Sequence, residues 1–257
     1  MSKFKEALNA AKEVVVLSGA GISAESGVPT FRGKDAVWRN MPTAILFSTS
    51  VFNDDPGFVW EFFHYCRELV LKTKPNAGHK AIAQYENKHA ANKKITVLTQ
   101  NIDELHSKAG SKNIIELHGS LFKTRCTKCD QVFVNTDSPI CEALRGTGSP
   151  TSTLLYSKIK EESLPHCKKP DCGGLLRPHI VFFGEKISWE TVKAIDPILS
   201  KCNVLLVVGT SSLVFPAAAY PTVMAAGGSI VAEFNIEPKP SSSMFDYYFS
   251  GPSATTL

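Results

Sequence analysis

Long apolar runs are missing from this chain. No stretch approaches the roughly 18–20 residues that span a bilayer; the longest candidates are Val14–Leu17 and Val204–Val208. A strong charge imbalance is missing as well: 28 Lys and Arg against 24 Asp and Glu leave a formal net charge of +4. There is no basic run of five or more residues, so neither nucleic acid nor a membrane surface is expected as a partner. Internal repeats, a collagen-like period and a long low-complexity linker are also absent. Met1 to Lys12 mixes Lys3, Lys5 and Lys12 with Glu6 and has no Arg, which fits neither a signal peptide nor an Arg-rich transit peptide. What remains is ordinary folded-chain usage, 43% hydrophobic and 20% charged over 257 residues, enough for one large or two small domains with a sizeable core. A monomer is expected.

The cysteines number seven, an odd count that suits a fully paired disulfide framework poorly. Four form two close pairs, Cys126-x₂-Cys129 and Cys167-x₄-Cys172. Each pair can present two thiolates to one tetrahedral ion, and four thiolates close its coordination sphere. A single structural zinc is therefore expected, in an intracellular, reducing compartment; unpaired structural cysteines are the plainer alternative. Cys66, Cys141 and Cys202 read as ordinary thiols.

Phe4, Ala7, Leu8 and Ala11 recur at helical spacing and predict a short helix over 3–12. Buried strands are predicted at Val14–Leu17, Ile95–Thr99, Ile114–Leu117, Val204–Gly209 and Ile230–Phe234, with helices over Phe58–Leu71 and His79–Asn87. Strands alternating with helices imply an α/β fold: a Rossmann-like parallel sheet covered on both faces. Residues 123–177 break the rhythm with the paired cysteines, Pro, Gly and a Ser/Thr-rich stretch. We expect a Rossmann-type domain over 1–122 and 178–257, a small zinc-stapled module over 123–177, and a helical part near 34–75 joining that module.

Five polar turns follow predicted strands. The first, Gly19-Ala20-Gly21-Ile22-Ser23-Ala24-Glu25-Ser26-Gly27, lets backbone N–H groups approach a pyrophosphate at a helix start. A tight structural turn is the plainer alternative. Its last glycine is displaced from the G-x-G-x-x-G spacing and no acidic residue follows about 20 residues on, which disfavours a plain dehydrogenase. The second, Gln100-Asn101-Ile102-Asp103, sits where α/β ligand sites occur; simple helix capping is the alternative for Asn101 or Asp103. His118 ends another strand beside Gly119 and suits a general base near neutral pH; a solitary His is also often structural. Gly209-Thr210-Ser211 and Asn235-Ile236-Glu237 complete the set.

Taken together, Gly-Ala-Gly-Ile-Ser, Pro-x-Phe-Arg, Thr-Gln-Asn-Ile-Asp, Leu-His-Gly, the cysteine pairs, Pro-His-Ile-Val-Phe-Phe-Gly-Glu and Gly-Thr-Ser resemble the sirtuin family of NAD-dependent protein deacylases. The likeness spans nearly the whole chain and is closest in text to the mitochondrial, acidic-acyl branch (class III). It implies transfer of a lysine acyl group to ADP-ribose, releasing nicotinamide and O-acyl-ADP-ribose, with acyl-lysine proteins or peptides as partners. It also implies His118 as general base, and NAD held by Gly19, Ala20, Gly21, Ala24, Glu25, Thr30, Phe31, Arg32 and Trp38, by Gln100, Asn101, Ile102 and Asp103, and by Gly209, Thr210, Ser211, Asn235, Ile236, Glu237 and Ser253. Val181, Phe182, Phe183, Gly184 and Glu185 would face the substrate. Mitochondria are implied by resemblance, with cytosol and nucleus left open. A mono-ADP-ribosyltransferase and a non-catalytic zinc-containing binding module are the other readings.

The acidic-acyl branch grips a succinyl-type carboxylate with a Tyr and an Arg three residues apart, beside a small Ala. Ungapped alignment through Trp60-Glu61-Phe62 puts Phe63 and Cys66 at the first two positions and Phe47 at the third. An Arg fork holds a carboxylate through two parallel bonds, and no neutral residue replaces it. We therefore expect a neutral acyl group, acetyl first with longer aliphatic chains also open, against the desuccinylase, demalonylase or deglutarylase activity of that branch. Arg67 is expected to point away from Phe63; a register slip would instead bring Tyr65 and Arg67 into use.

Overall fold

The computed structural model describes residues 2–30 and 36–257. They divide into two compact units, one of residues 1–28, 74–118 and 187–257, the other of residues 29–73 and 119–186.

The first unit is built on six parallel strands in the spatial order Tyr247–Ser250, Ile230–Asn235, Val204–Val208, Glu13–Ser18, Lys94–Thr99 and Ile114–Glu116. Numbered by sequence within the unit this is 6-5-4-1-2-3, the doubly wound order read from its other edge. The runs Val14–Leu17 and Val204–Val208 are apolar because both faces of these central strands are covered. Val14, Val16, Val204, Leu206 and Val208 pack with Phe4, Ile22 and Phe234 on one face. Val15, Leu17, Leu205 and Val207 pack with Ile195, Ala217 and Met224 on the other.

Five predicted strands and the first helix, observed as Ser2–Ala10, lie within a residue or two of expectation. The sixth strand was not predicted. It is an edge strand, Tyr-Tyr-Phe-Ser, at most partly buried along its length, so it carries neither an apolar run nor a clean alternation.

The predicted helix over Phe58–Leu71 is Pro56–Lys72 and lies in the second unit. Asp55 caps it by accepting from the Phe58 N–H at 2.8 Å, and Pro56 occupies its first turn. Its buried residues run almost all the way round, Phe58 to Phe63 and then His64, Cys66, Arg67 and Val70. Such a helix is surrounded rather than laid on a sheet.

Around it the second unit has a three-stranded antiparallel sheet in the order Val132–Val134, Gly119–Cys126, Leu176–Ile180. Gly119 and the 178–186 segment thus fall in this unit, whose later stretch begins at 119 and ends at 186, wider on both sides than the 123–177 module expected from the cysteines. The reason is pairing: Gly119 is in register with Ile180, and Trp60 Nε1 donates to the Leu176 carbonyl at 2.9 Å.

Candidate functional site

In the first unit the polar turns gather at the carboxyl ends of the central strands, where the strand order reverses. Two of them are locked together. Gly19 N donates to the Val208 carbonyl at 2.9 Å and Gly21 N to that of Gly209 at 2.7 Å. A Cβ at Gly19 would lie 2.7 Å from Thr210 Cα, and one at Gly21 would lie 2.7 Å from the Gly209 oxygen. These glycines are thus required by backbone approach within the fold, and both of those N–H groups are committed to the neighbouring loop.

The second turn is tied to the first. Asn101 Nδ2 donates to the Gly19 carbonyl and to Ser23 Oγ, both at 3.0 Å. Gln100 Nε2 reaches Thr210 Oγ1 at 2.9 Å, and Asn235 Nδ2 donates to the Thr210 carbonyl at 2.8 Å. Asp103 is buried, accepts from the Leu105 N–H at 2.9 Å and bonds Ser23. Burial raises its carboxyl above the usual range, against the bonds from Ser23 and Leu105. Asp103 thus accepts from the first N–H of the short helix Leu105–Ala109, whose N-cap is Glu104, whereas Asn101 ties loop to loop.

His118 Nδ1 lies 3.0 Å from the Gln100 carbonyl. A carbonyl only accepts, so Nδ1 carries the proton and Nε2 is the basic nitrogen of the ring. The following Gly119 has φ +82°, and a Cβ there would collide with the His179 carbonyl, which explains the His-Gly pair.

Beneath these turns lies a polar layer that the motifs did not single out. Ser18 Oγ bonds Thr99 Oγ1 at 2.9 Å and His106 Nε2 at 2.8 Å. Ser23 Oγ lies 3.4 Å from His79 Nε2, and the two imidazoles meet edge to face at 4.9 Å. Burial pushes His79 down to about 4; burial and the neighbouring His79 push His106 down to about 3. Both are neutral at pH 7. Polar residues inside apolar strand ends were the available signal.

The remaining expected NAD residues divide. Ile102 and Ser253 are buried, while Ala24, Thr30, Ser211, Ile236 and Glu237 are exposed. Glu25 accepts from the Ala254 N–H, at 3.1 Å through Oε2. Phe31 and Arg32 lie outside the described residues. Trp38 is a core residue of the second unit rather than a surface one: it packs on Phe58 at 5.1 Å and donates from Nε1 to the Gly148 carbonyl at 3.1 Å.

In the second unit Cys126, Cys129, Cys167 and Cys172 place their sulfurs within 4.8 Å of one another, with 3.6 Å between Cys126 and Cys172 and 3.8 Å between Cys129 and Cys167. Sulfurs at Zn–S distances of about 2.3 Å in a tetrahedron are about 3.8 Å apart, so the four thiols fit one zinc and leave no position for water.

Two of the three expected acyl-pocket residues, Phe47 and Phe63, touch, and the third, Cys66, is buried on the same helix as Phe63. The Phe47 ring meets Phe63 at 5.2 Å, Phe62 at 5.8 Å and Phe183 at 6.1 Å, and Phe63 stacks on Phe182 at 6.1 Å. Burial in this apolar setting pushes the Cys66 thiol far up, keeping it neutral. Glu185 is held within the fold: Arg177 grips it with two bonds of 2.6 and 3.0 Å, Phe182 N donates to it at 2.9 Å and Thr49 Oγ1 at 3.1 Å. Burial would raise its carboxyl, but Arg177 and the Phe182 N–H hold it below the usual range.

Arg67 follows Phe63 by four residues, which puts the two near one helix face, so the expectation that its position alone turns it away was wrong in its reason. What removes it is hydrogen bonding. Its guanidinium donates to the Leu121 carbonyl at 2.5 Å and to Asn135 Oδ1 and the Asp137 carbonyl at 2.9 Å each. Tyr65 lies against Gly148, where a Cβ would fall 3.2 Å from its own.

The Sir2 family model matches residues 19–216. The chain belongs to the Sir2 family. Among its relatives is an NAD-dependent protein deacylase, sirtuin-5, mitochondrial, of Canis lupus familiaris, 48% identical over 258 aligned positions that cover all of this chain and 83% of that protein. An NAD-dependent protein deacylase of Pyrococcus furiosus is 39% identical over 95% of this Sir2-family chain and 89% of its own length. A Sir2 homologue solved as an NAD complex superposes with a TM-score of 0.82 at 35% identity, covering 99% of this chain and 90% of that one. The Rossmann-like sheet is therefore the family's fold.

Proposed function

We propose that this protein is an NAD-dependent protein-lysine deacylase that removes neutral acyl groups, acetyl foremost. The coarse activity is that of its family: relatives matching it from end to end are named NAD-dependent protein deacylases. Solved members include complexes with NAD, and with NAD and a p53 peptide together. The polar turns at the strand ends supply what a dinucleotide needs, short side chains for ribose hydroxyls and a close-packed glycine loop. His118, its Nδ1 proton held on Gln100, would accept a ribose hydroxyl proton at Nε2. NAD supplies the ADP-ribose that takes up the acyl group, and nicotinamide is released.

The single observation that carries the neutral-acyl reading is that Phe47 and Phe63 pack against each other and against Phe62, while the nearest cation along the helix of Phe62 and Phe63 is already used by the fold. That cation, the guanidinium of Arg67, is engaged by three oxygens of the fold. A succinyl carboxylate buried here would lack a partner, at a cost of several kcal/mol. The turn Val181–Glu185 is proposed to carry the peptide through its exposed members Phe183 and Gly184, with Glu185 shaping it from inside.

The test is mass spectrometry of one peptide bearing acetyl-, propionyl-, succinyl- or glutaryl-lysine after incubation with NAD. O-acetyl- and O-propionyl-ADP-ribose with free nicotinamide are expected. Dominant O-succinyl product would restore the acidic-acyl reading, ADP-ribose attached to protein would support a transferase, and no nicotinamide release would support a binding module. A mitochondrial location belongs to the same proposal, supported by the names of relatives such as the dog protein; imaging of the tagged protein in cells tests it.

A further inference from the structure

We infer that Glu233, a residue outside the expected NAD set, is a positioning residue for the dinucleotide: it fixes the Asn235 amide and the turn that follows it. This rests on the reading of Asn235, Ile236 and Glu237 as part of an NAD site. Glu233 lies in the strand Ile230–Asn235, which is paired on both sides, and is 0% exposed. Its neighbours Ala232 and Phe234 pack into the apolar layer with Phe4 and Ile22, so Glu233 and Asn235 share the opposite face of the strand. A carboxylate out of water is costly unless donors meet it. An apolar residue would be the easier choice for stability alone.

Both carboxylate oxygens are met. Asn235 Nδ2 has two hydrogens: one goes to the Thr210 carbonyl at 2.8 Å and the other to Glu233 Oε1 at 3.1 Å. Asn235 Oδ1 accepts from the Ile236 N–H at 3.0 Å, which leaves one of its lone pairs over. Asn235 therefore offers a ligand an acceptor and no donor, which suits a hydroxyl hydrogen. On the other side, Ser242 Oγ accepts from the Lys239 N–H at 2.7 Å, so its own hydrogen goes to Glu233 Oε2. That bond ties the 3₁₀ turn Pro240–Met244 back onto the strand. The exposed residues Ile236, Glu237 and Pro238 are the loop held between these two anchors. Glutamine offers one acceptor where two are needed, so either the Asn235 amide or Ser242 would lose its partner.

The experiment is isothermal titration with NAD and with ADP-ribose, which lacks the nicotinamide. The unaltered protein, Glu233→Gln, Ser242→Ala and Asp246→Ala are compared, each with its melting curve. Asp246 Oδ2 accepts from the Val231 N–H at 2.9 Å at the other end of the same strand, and its variant controls for stability alone. Glu233→Gln should weaken both ligands about tenfold and Ser242→Ala less, while Asp246→Ala should bind both as the unaltered protein does. In turnover the KM for NAD should rise by the same factor, with kcat and the KM for the peptide unchanged. If Glu233→Gln does not fold, Ser242→Ala decides. Unchanged affinities in the folded Glu233 and Ser242 variants would overturn the inference. So would weaker NAD with unweakened ADP-ribose, or an equal loss in Asp246→Ala. An unaltered protein that binds both ligands but releases no acyl group would overturn the deacylase reading, and the binding comparison would still decide the role of Glu233. Binding of neither ligand would overturn both.

Discussion

The basic end of His118 is set by one bond. The Gln100 carbonyl fixes which nitrogen holds the proton, so the ring has a defined acceptor before any substrate arrives. General-base help contributes on the order of 10²–10⁴ in rate; His118→Ala should lower kcat by at least about 10²-fold while NAD still binds. Isothermal titration of NAD beside turnover separates the two effects, and a variant near normal rate would refute the role. His79 and His106 act on stability instead. Their folded values of about 4 and about 3 lie below the ordinary 6.5, so the unfolded chain takes up protons first as pH falls. The stability they allow is complete above about pH 6.5 and is lost progressively down to their folded values. The loss is on the order of 3–6 kcal/mol for the pair by pH 4. Urea unfolding should show this slope, and His106→Gln should flatten it; an unchanged slope would show that other groups dominate. At this scale the convergence of the four cysteines was legible in the sequence because their spacing signals it. The fates of Trp38 and Arg67 were not, because both are set by partners more than 50 positions away, Gly148 for one and Leu121, Asn135 and Asp137 for the other.

The turn Val181–Glu185 shows how an element is held by residues that need not touch substrate. Arg177 on the strand Leu176–Ile180 reaches Glu185 and the Ile180 carbonyl, folding the segment back on itself. Removing one partner of a buried pair costs 3–5 kcal/mol in typical cases. The Glu185 side chain keeps 25% of its surface in water, so Arg177→Met should cost about 3 kcal/mol by urea unfolding. It should also raise KM for an acetyl-lysine peptide more than it lowers kcat. A variant with unchanged stability and KM would remove Arg177 from this role. Strands buried on both faces announce themselves as apolar runs, which is why five of the six in the first unit could be read directly. The edge strand Tyr247–Ser250 has no such run. The helix Pro56–Lys72 was visible from its apolar spacing, but being apolar on nearly every side does not say which residues surround it.

For the molecule as a whole, the division into a parallel-sheet unit and a smaller antiparallel unit follows from two kinds of support. The first has apolar layers on both faces of its sheet. The second has a three-stranded sheet joined to its loops by four convergent thiols, and binding free energy at such a centre is folding free energy. Zinc removal by a strong chelator, or Cys126→Ser, should therefore unfold the second unit and abolish turnover, read as a lower or lost melting transition; a folded and active zinc-free protein would contradict the structural role. The cysteine pairs located this unit in the sequence, but its boundaries depend on pairing between Gly119–Cys126 and Leu176–Ile180, which no local signal reports.

What sets this chain apart at every scale is the acyl group it should accept. The most direct measurement is kcat/KM for acetyl-lysine and succinyl-lysine on the same peptide with NAD, for the unaltered protein and for a Phe63→Tyr, Cys66→Arg double variant. We expect acetyl to be preferred by at least tenfold in the unaltered protein and succinyl to gain in the double variant. Succinyl-lysine exceeding acetyl-lysine in the unaltered protein would contradict the neutral-acyl assignment.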